Sequence, residues 1–170
     1  MDATPPAGDA TPAALVAAPA QPDDAPALRA VIAAAFAQYE GQLDPPSGAL
    51  NESDVSLRDK IRAGGAWLCR HEGMVVGCAF VAPRDDHLYL GRLAVLPAWR
   101  GRGVGDLLLA RVERQALELG LPTVQLAVRL ALPRLRAWYT ARGYTLLEER
   151  AHPGYAVPTF AQLVKRLEAP

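Results

Sequence analysis

The 170-residue sequence has little of three things: cysteine, charge of a single sign and long apolar runs. Eighteen basic side chains balance eighteen acidic ones. No Lys/Arg cluster of the kind that binds a phosphate backbone occurs outside a short turn at 100–102, which argues against a nucleic-acid partner. The apolar runs fall far short of a bilayer span, so no membrane partner is expected. Nor is a secretory leader expected, because Asp2 puts acid where such leaders are basic and Pro12 and Pro19 interrupt the alanine-rich stretch. A cytoplasmic protein is the expectation. Two cysteines are too few for a disulfide framework. Cys69 and Cys78 fall on the arms of a hairpin turning at Glu72-Gly73, which would set Cys69 opposite Val76 and Cys78 opposite Trp67. They would then be diagonal neighbours, at the upper limit of a bridge's reach. Buried free thiols are expected; a catalytic cysteine has no obvious histidine base, although His71 is near in sequence.

What is present is an apolar half, 51% of residues, enough for one domain with a real core. Residues 1–11 form an Ala/Pro/Asp tail with nothing to bury, expected to be disordered, and 12–170 form a single domain. A short strand at 13–18 leads to Pro22-Asp23-Asp24, which supplies turn and N-cap chemistry. Leu28, Val31, Ile32, Ala35, Phe36 and Tyr39 then recur at helical spacing, predicting a helix over 25–39. Pro45-Pro46-Ser47-Gly48 forbids regular structure, and Ser53 caps a helix to about residue 63. Three strands, 66–70, 74–83 and 87–95, form an antiparallel meander with turns at Glu72-Gly73 and Asp85-Asp86. A helix over 104–119 carries Val104, Leu108, Val112, Ala116 and Leu119 on one face and stops at Gly120. A strand over 123–128 makes a parallel crossover beside the third meander strand. The chain finishes with a helix over 133–142 ended by Gly143, and strands over 144–150 and 159–167.

The stretch LYLGRLAVLPAWRGRGVGDLLL, 88–109, organises the rest. An apolar strand, a proline, a basic glycine-rich turn and a helix follow one another. A helix N-terminus presents unpaired N–H groups and partial positive charge, glycine lets a phosphate approach, and Arg100 and Arg102 add charge. The dinucleotide pattern G-x-G-x-x-G fails, because Asp106 or Leu108 stands where its last glycine belongs, and a P-loop fails for want of lysine. R-x-x-G-x-G, Arg100 to Gly105, fits. The competing reading is a basic turn that merely caps a helix. Asp106 suits the dipole but would oppose a phosphate, so its carboxylate should point away.

This motif resembles the acetyl-CoA pyrophosphate loop of the GNAT superfamily of N-acetyltransferases, and WYTARGY, 138–144, is similar to the L-Y-x-x-x-G-F/Y signature of the same superfamily. The resemblance covers nearly the whole chain after Leu15. It implies an α/β (α+β) fold: a mixed, mainly antiparallel twisted sheet of six to seven strands with about four helices, its CoA slot between two splayed parallel strands. It further implies direct acetyl transfer from acetyl-CoA to an amine, without metal or covalent enzyme intermediate. Carried over by position, the Leu93 N–H polarises the acetyl carbonyl, and the 93–95 backbone (Leu93, Ala94, Val95) holds pantetheine. The amides of Gly101, Arg102, Gly103, Val104 and Gly105 take the pyrophosphate with Arg100 beside them, and Tyr139 protonates the departing thiolate. A phenol in a cleft can supply such a proton; core packing is its alternative role. A homodimer is compatible with the resemblance.

Two departures from the family pattern stand out. Tyr89 and Gly91 replace a glutamate base before L-A-V, and Leu132 and Leu135 occupy the places of an asparagine that contacts pantetheine. Water, His87, Tyr89, His152 or a carboxylate from 40–54 is left to take the acceptor's proton. The acids Glu40, Asp44, Glu52 and Asp54, with Tyr39, Tyr89, His152 and Tyr155, form the candidate acceptor site, and a small cationic amine is the expected substrate, ahead of a peptide or protein amine. A solvated acidic surface is the plainer reading of each carboxylate. The rival functions are a non-catalytic CoA-binding or interaction domain, argued from the missing base and asparagine, and a thiol-nucleophile acyltransferase using Cys69 or Cys78.

Overall fold

The computed structural model describes residues 13–169; the tail expected at 1–11 lies outside them. In chain order the elements are β1 (Val16–Pro19), α1 (Ala25–Phe36), α2 (Asp54–Ala63), β2 (Ala66–His71), β3 (Met74–Pro83), β4 (Leu88–Val95), α3 (Val104–Glu118), β5 (Thr123–Arg129), α4 (Pro133–Thr140), β6 (Thr145–Arg150) and β7 (Phe160–Arg166). They form one seven-stranded sheet of order β1-β2-β3-β4-β5-β7-β6, antiparallel except where β4 meets β5. The sheet is mixed and open and carries four α-helices, the architecture that the resemblance implies. No helix among the described residues is long and apolar enough to cross a membrane.

Each face of the sheet is covered by a different helical layer. Val104, Leu108, Val112 and Ala116 of α3 pack on Val76, Leu88, Leu90, Val124 and Leu126. On the other face Leu28, Val31 and Ile32 of α1 and Leu57 and Ile61 of α2 pack on Leu68, Cys78, Phe80 and Ala94. Burial of such side chains contributes roughly 1.5–3 kcal/mol each, so the two layers hold the central strands firmly.

The helix boundaries differ from the pattern-based expectation for local reasons. Helix α1 stops at Phe36, and 37–39 is a 3₁₀ turn, because the Ala35 carbonyl is drawn off by Arg100 Nη2 (3.0 Å) and Gln38 Nε2 (3.2 Å). Ser53 does cap α2: its hydroxyl accepts from Ser56 N–H while Ser56 Oγ accepts from Ser53 N–H, a reciprocal box. Leu119 is half-exposed rather than part of the apolar stripe, since it follows the last turn of α3. Helix α4 ends two residues early, and Tyr144 is a fully buried core side chain rather than the start of a strand.

The cysteine geometry is corrected by a bulge. Cys69 pairs with Gly77 and Arg70 with Val75, so β3 carries one extra residue, Val76, at the turn end of the hairpin. That slip puts the thiols on opposite faces of the sheet, Cys69 among the α3-side residues and Cys78 among the α1-side ones. Both are buried and free. Burial raises both thiol pKa values, that of Cys78 to about 12. A buried, protonated thiol is no nucleophile, which removes the thiol-acyltransferase reading.

Candidate active site

The slot opens where β4 leaves β5. Parallel pairing is confined to Leu88 beside Val124 and Tyr89 beside Gln125, whereas β5 stays paired with β7 along its whole length. Beyond Tyr89 the two parallel strands diverge. At the same level β4 bulges: Gly91 pairs with Phe80 and Ala94 with Cys78, so Arg92 and Leu93 together face the single residue Ala79. Arg92 takes φ 49°, a left-handed conformation that residues other than glycine seldom adopt. A bulge turns main-chain groups out of the ladder, and here it falls at Arg92 and Leu93.

The constraint on Arg92 is visible. Its Nε donates to Glu52 Oε1 at 2.8 Å, and a Cβ on Gly48 would lie 3.1 Å from its Nη2, so the guanidinium is laid against the α1–α2 loop. The Glu52 side chain is only 5% exposed and is also held by Lys60 Nζ and by Ser56 Oγ at 2.7 Å. Burial pulls the Glu52 pKa upward, but bonds from Lys60, Ser56 and Arg92 outweigh it and leave the carboxyl below its ordinary value.

The loop between β4 and α3 has the expected form. Gly101 (φ 72°) and Gly103 (φ 84°) are left-handed, Gly103 is the N-cap of α3, and a Cβ on either would meet nothing. Both glycines are therefore required by backbone conformation rather than by crowding. Gly105 is required by crowding, since its Cβ would come within 3.1 Å of the Trp138 ring on α4. Of the two arginines, Arg100 is turned to the Ala35 carbonyl of α1, while Arg102 lies over the Trp99 ring at 5.0 Å and stays exposed. The loop's available side-chain charge is thus Arg102. Asp106 is engaged by Arg142 (Nε 2.5 Å, Nη2 3.2 Å), whose guanidinium stacks 3.8 Å over Trp138 and holds the carboxyl below its usual pKa.

Tyr139, on α4, lies near Tyr89 of β4. It is 5% exposed, edge-on to Trp138 (5.0 Å) and to Tyr144 (5.6 Å), and its hydroxyl makes no hydrogen bond among the described residues. Burial, with a smaller contribution from the nearby Tyr89, pushes its pKa well above the phenol range, so it remains a proton donor. Behind it, Tyr144 donates to Glu113 (3.1 Å), which also accepts two bonds from Lys165 (2.9 and 3.0 Å), fixing the ring that Tyr139 rests on.

The α1–α2 loop touches both the β6–β7 loop and the end of β5. Tyr155 OH donates to Asp44, and Arg129 Nη2 donates to Pro46 O at 3.2 Å. His152 packs edge-on against Phe160 (4.9 Å), with Nδ1 against Thr159 Oγ1; burial first and Arg129 second lower its pKa, leaving it neutral near pH 7. Asp54 is in charge contact with Arg29 (2.7 Å), Glu40 is exposed, and Tyr39 packs edge-on against Phe36 at 5.9 Å. His87 is bonded to Asp86 (2.6 Å) beside the paired, closed end of the strands, away from the opening. Asp44, Tyr155, Arg129 and His152 are therefore brought together, while Asp54 and His87 are not. The sequence reading missed Arg92, Arg129 and the β4 bulge; Gly91, an isolated glycine inside an apolar strand, was the signal for the last of these.

The chain belongs to the GNAT family of acetyltransferases: the family model matches residues 32–144. Over 75 residues, 43% of this chain, it is 37% identical to the amino-acid acetyltransferase of Pseudomonas putida KT2440. The chain spans only 16% of the length of that curated relative. The fold is shared with PaiA N-acetyltransferase of Thermoplasma acidophilum in complex with coenzyme A, at TM-score 0.77 and 14% identity over 91% of this chain and 99% of that one. It is shared also with N-acetylglutamate synthase of Neisseria gonorrhoeae complexed with coenzyme A and N-acetyl-glutamate, at TM-score 0.72 and 23% identity over 94% of this chain and 36% of that one.

Proposed function

We propose that the protein moves an acetyl group from acetyl-CoA directly to the primary amine of a small molecule. What supports this reading is that one strand, β4, leads from its divergence at Tyr89 through the Arg92–Leu93 bulge to the 100–105 loop, with the buried Tyr139 phenol near Tyr89 of that strand. The pyrophosphate takes the first-turn amides of α3, where Gly101 and Gly103 leave open space, with Arg102 beside it. Pantetheine follows the 93–95 backbone into the splay. The amine attacks the acetyl carbon, the Leu93 N–H stabilises the oxyanion, the C–S bond breaks, and the thiolate takes the Tyr139 proton. The proton of the incoming ammonium leaves on the acceptor side, where neutral His152 and the Asp44 carboxylate are the available bases.

A small acceptor is favoured because the Asp44–Tyr155 and Arg129–Pro46 contacts draw the two loops together across that side. Similarity to proteins named for acetylating amino acids agrees with it. The test is thiol release from acetyl-CoA with a panel of primary amines, beside calorimetry with CoA alone. Acceptor-dependent thiol release supports transfer. CoA binding without thiol release from any amine would make this a binding domain.

A further inference from the structure

Asp106 puts a carboxylate in the first turn of α3, three residues after the left-handed N-cap Gly103. Such a charge suits the helix dipole, yet it stands beside the amides to which a pyrophosphate is drawn, where like charges repel. Arg142 answers it. Its Nε donates to Asp106 Oδ1 at 2.5 Å and its Nη2 to Oδ2 at 3.2 Å, a forked geometry that fixes the carboxylate in direction as well as balancing its charge. The third nitrogen, Nη1, donates to the Trp138 carbonyl at 2.8 Å, and the guanidinium lies 3.8 Å over the Trp138 ring. Trp138 in turn abuts Gly105, where a Cβ would come within 3.1 Å of the ring. A lone exposed ion pair contributes little. This one is forked and stacked on an aromatic ring, with the Arg142 side chain only 27% exposed.

We propose that Arg142 is a positioning residue for the cofactor: it neutralises the Asp106 carboxylate and holds it aside, so that the N-terminus of α3 accepts the CoA pyrophosphate. The proposal rests on the cofactor site of the acetyl-transfer reading above. All three guanidinium nitrogens are engaged within the protein, so the charge of Arg142 is committed to Asp106, whereas Arg102, exposed over Trp99, remains for the ligand. An unpaired Asp106 would offset Arg102 and leave only the α3 amides to attract the anion. Removing Arg142 and removing the Asp106 charge should therefore act in opposite directions on CoA, although each breaks the same ion pair. A clamp that merely docked α4 on α3 would lose alike from either side.

The experiment is calorimetry with CoA on the native protein, Arg142→Met, Asp106→Asn and the double variant, each checked for folding by circular dichroism. Methionine keeps an apolar stem over Trp138. At low salt Arg142→Met should raise the CoA Kd about tenfold, while Asp106→Asn should bind at least as tightly as native. The double variant should return to within about twofold of the native Kd. The Arg142→Met defect should shrink as ionic strength approaches about 1 M. Equal weakening in both single variants, not relieved in the double, overturns the proposal and makes the pair a structural clamp. A defect of Arg142→Met that persists in the double variant beside a native-like Asp106→Asn also overturns it, and places the guanidinium on the phosphate itself. Unchanged affinity in folded Arg142→Met overturns it too, and each of these results leaves the cofactor site standing. Should Arg142→Met not fold, Asp106→Asn decides alone, since weaker binding there overturns the proposal and tighter binding supports it. Native protein that binds no CoA overturns the cofactor reading together with it.

Discussion

The two sides of the slot are built by different means. On the α3 side the groups of the proposed site are main-chain amides, placed by left-handed Gly101 and Gly103 within one continuous strand–turn–helix unit. On the acceptor side they are side chains of distant loops, joined by contacts such as Asp44–Tyr155, 111 positions apart in sequence. A main-chain site is tolerant of side-chain identity but not of backbone conformation. The side-chain site has the opposite sensitivity, so substitutions on each side should fail in different kinetic parameters.

The largest effect is expected where the two sides meet, at Tyr139. Tyr139→Phe removes only a hydroxyl that makes no hydrogen bond among the described residues, so packing and CoA affinity should be kept. Turnover should fall on the order of 100-fold, the worth of one positioned proton donor. Because burial raises the Tyr139 pKa, the native kcat should show no loss from its ionisation up to the ordinary phenol value of about 10. Equal turnover of the two proteins would assign Tyr139 to packing and leave the slot without its acid.

Next is the glycine loop. Gly103→Val meets no steric neighbour, yet forces a β-branched residue to φ 84°, a strain of roughly 1–3 kcal/mol. Calorimetry should give CoA binding weakened by about tenfold or more, with the Gly103→Asn variant closer to native because asparagine tolerates the left-handed region. An unchanged affinity in folded Gly103→Val protein would place the cofactor elsewhere. On the same side, Arg102→Ala should weaken CoA, whereas Arg100→Ala should act through the end of α1 and spare it.

This contrast also explains what could be read before the structure. The strand–loop–helix unit, the capped α2 and the meander are encoded locally, by Gly, Pro and Ser at fixed places, and they stand almost where periodicity puts them. Arg100 was expected at the phosphate, but its partner is the end of a helix 65 positions earlier, which no local pattern can reveal. The four acids at 40–54 form a cluster in sequence only. Glu52 folds onto Lys60 and Arg92, Asp54 onto Arg29, and Asp44 onto Tyr155. The cysteines were set on one face by an assumed regular hairpin, and the single extra residue at Val76 moved them to two.

Glu52 lies between the two sides, since it answers the charge of Arg92 next to the Leu93 bulge. Glu52→Gln keeps the shape but weakens its bonds to Arg92 and Lys60, so kcat should fall several-fold while the KM values hold, the mark of a positioning residue. Its depressed pKa gives a second readout. The stabilisation is present above the unfolded glutamate pKa of about 4.3 and is lost as pH falls through the lower folded value, so acid unfolding should be less steep in Glu52→Gln. A change in acceptor KM alone would instead make Glu52 a substrate contact.

The smallest effect is expected at the acceptor-side carboxylates, and it bears on whether that side recognises charge at all. Asp44 is exposed and bonded to Tyr155, which touches the neighbourhood of Arg129 and His152, whereas Asp54 is spent on Arg29. If an ammonium is drawn in by the 40–54 segment, Asp44 is the carboxylate placed to do it, and Asp54 serves as an internal control of similar charge. An exposed charge interaction is worth about 0.2–1 kcal/mol, so Asp44→Asn should lower kcat/KM for the acceptor only about two- to fivefold. Screening should erase that difference, bringing native and Asp44→Asn protein together as ionic strength approaches about 1 M, where the Debye length is near 3 Å. Asp54→Asn should change neither kcat/KM nor its salt dependence. If Asp44→Asn matches the native protein at low salt as well, the segment does not attract the amine, and recognition on that side is left to Arg129, His152 and Tyr155.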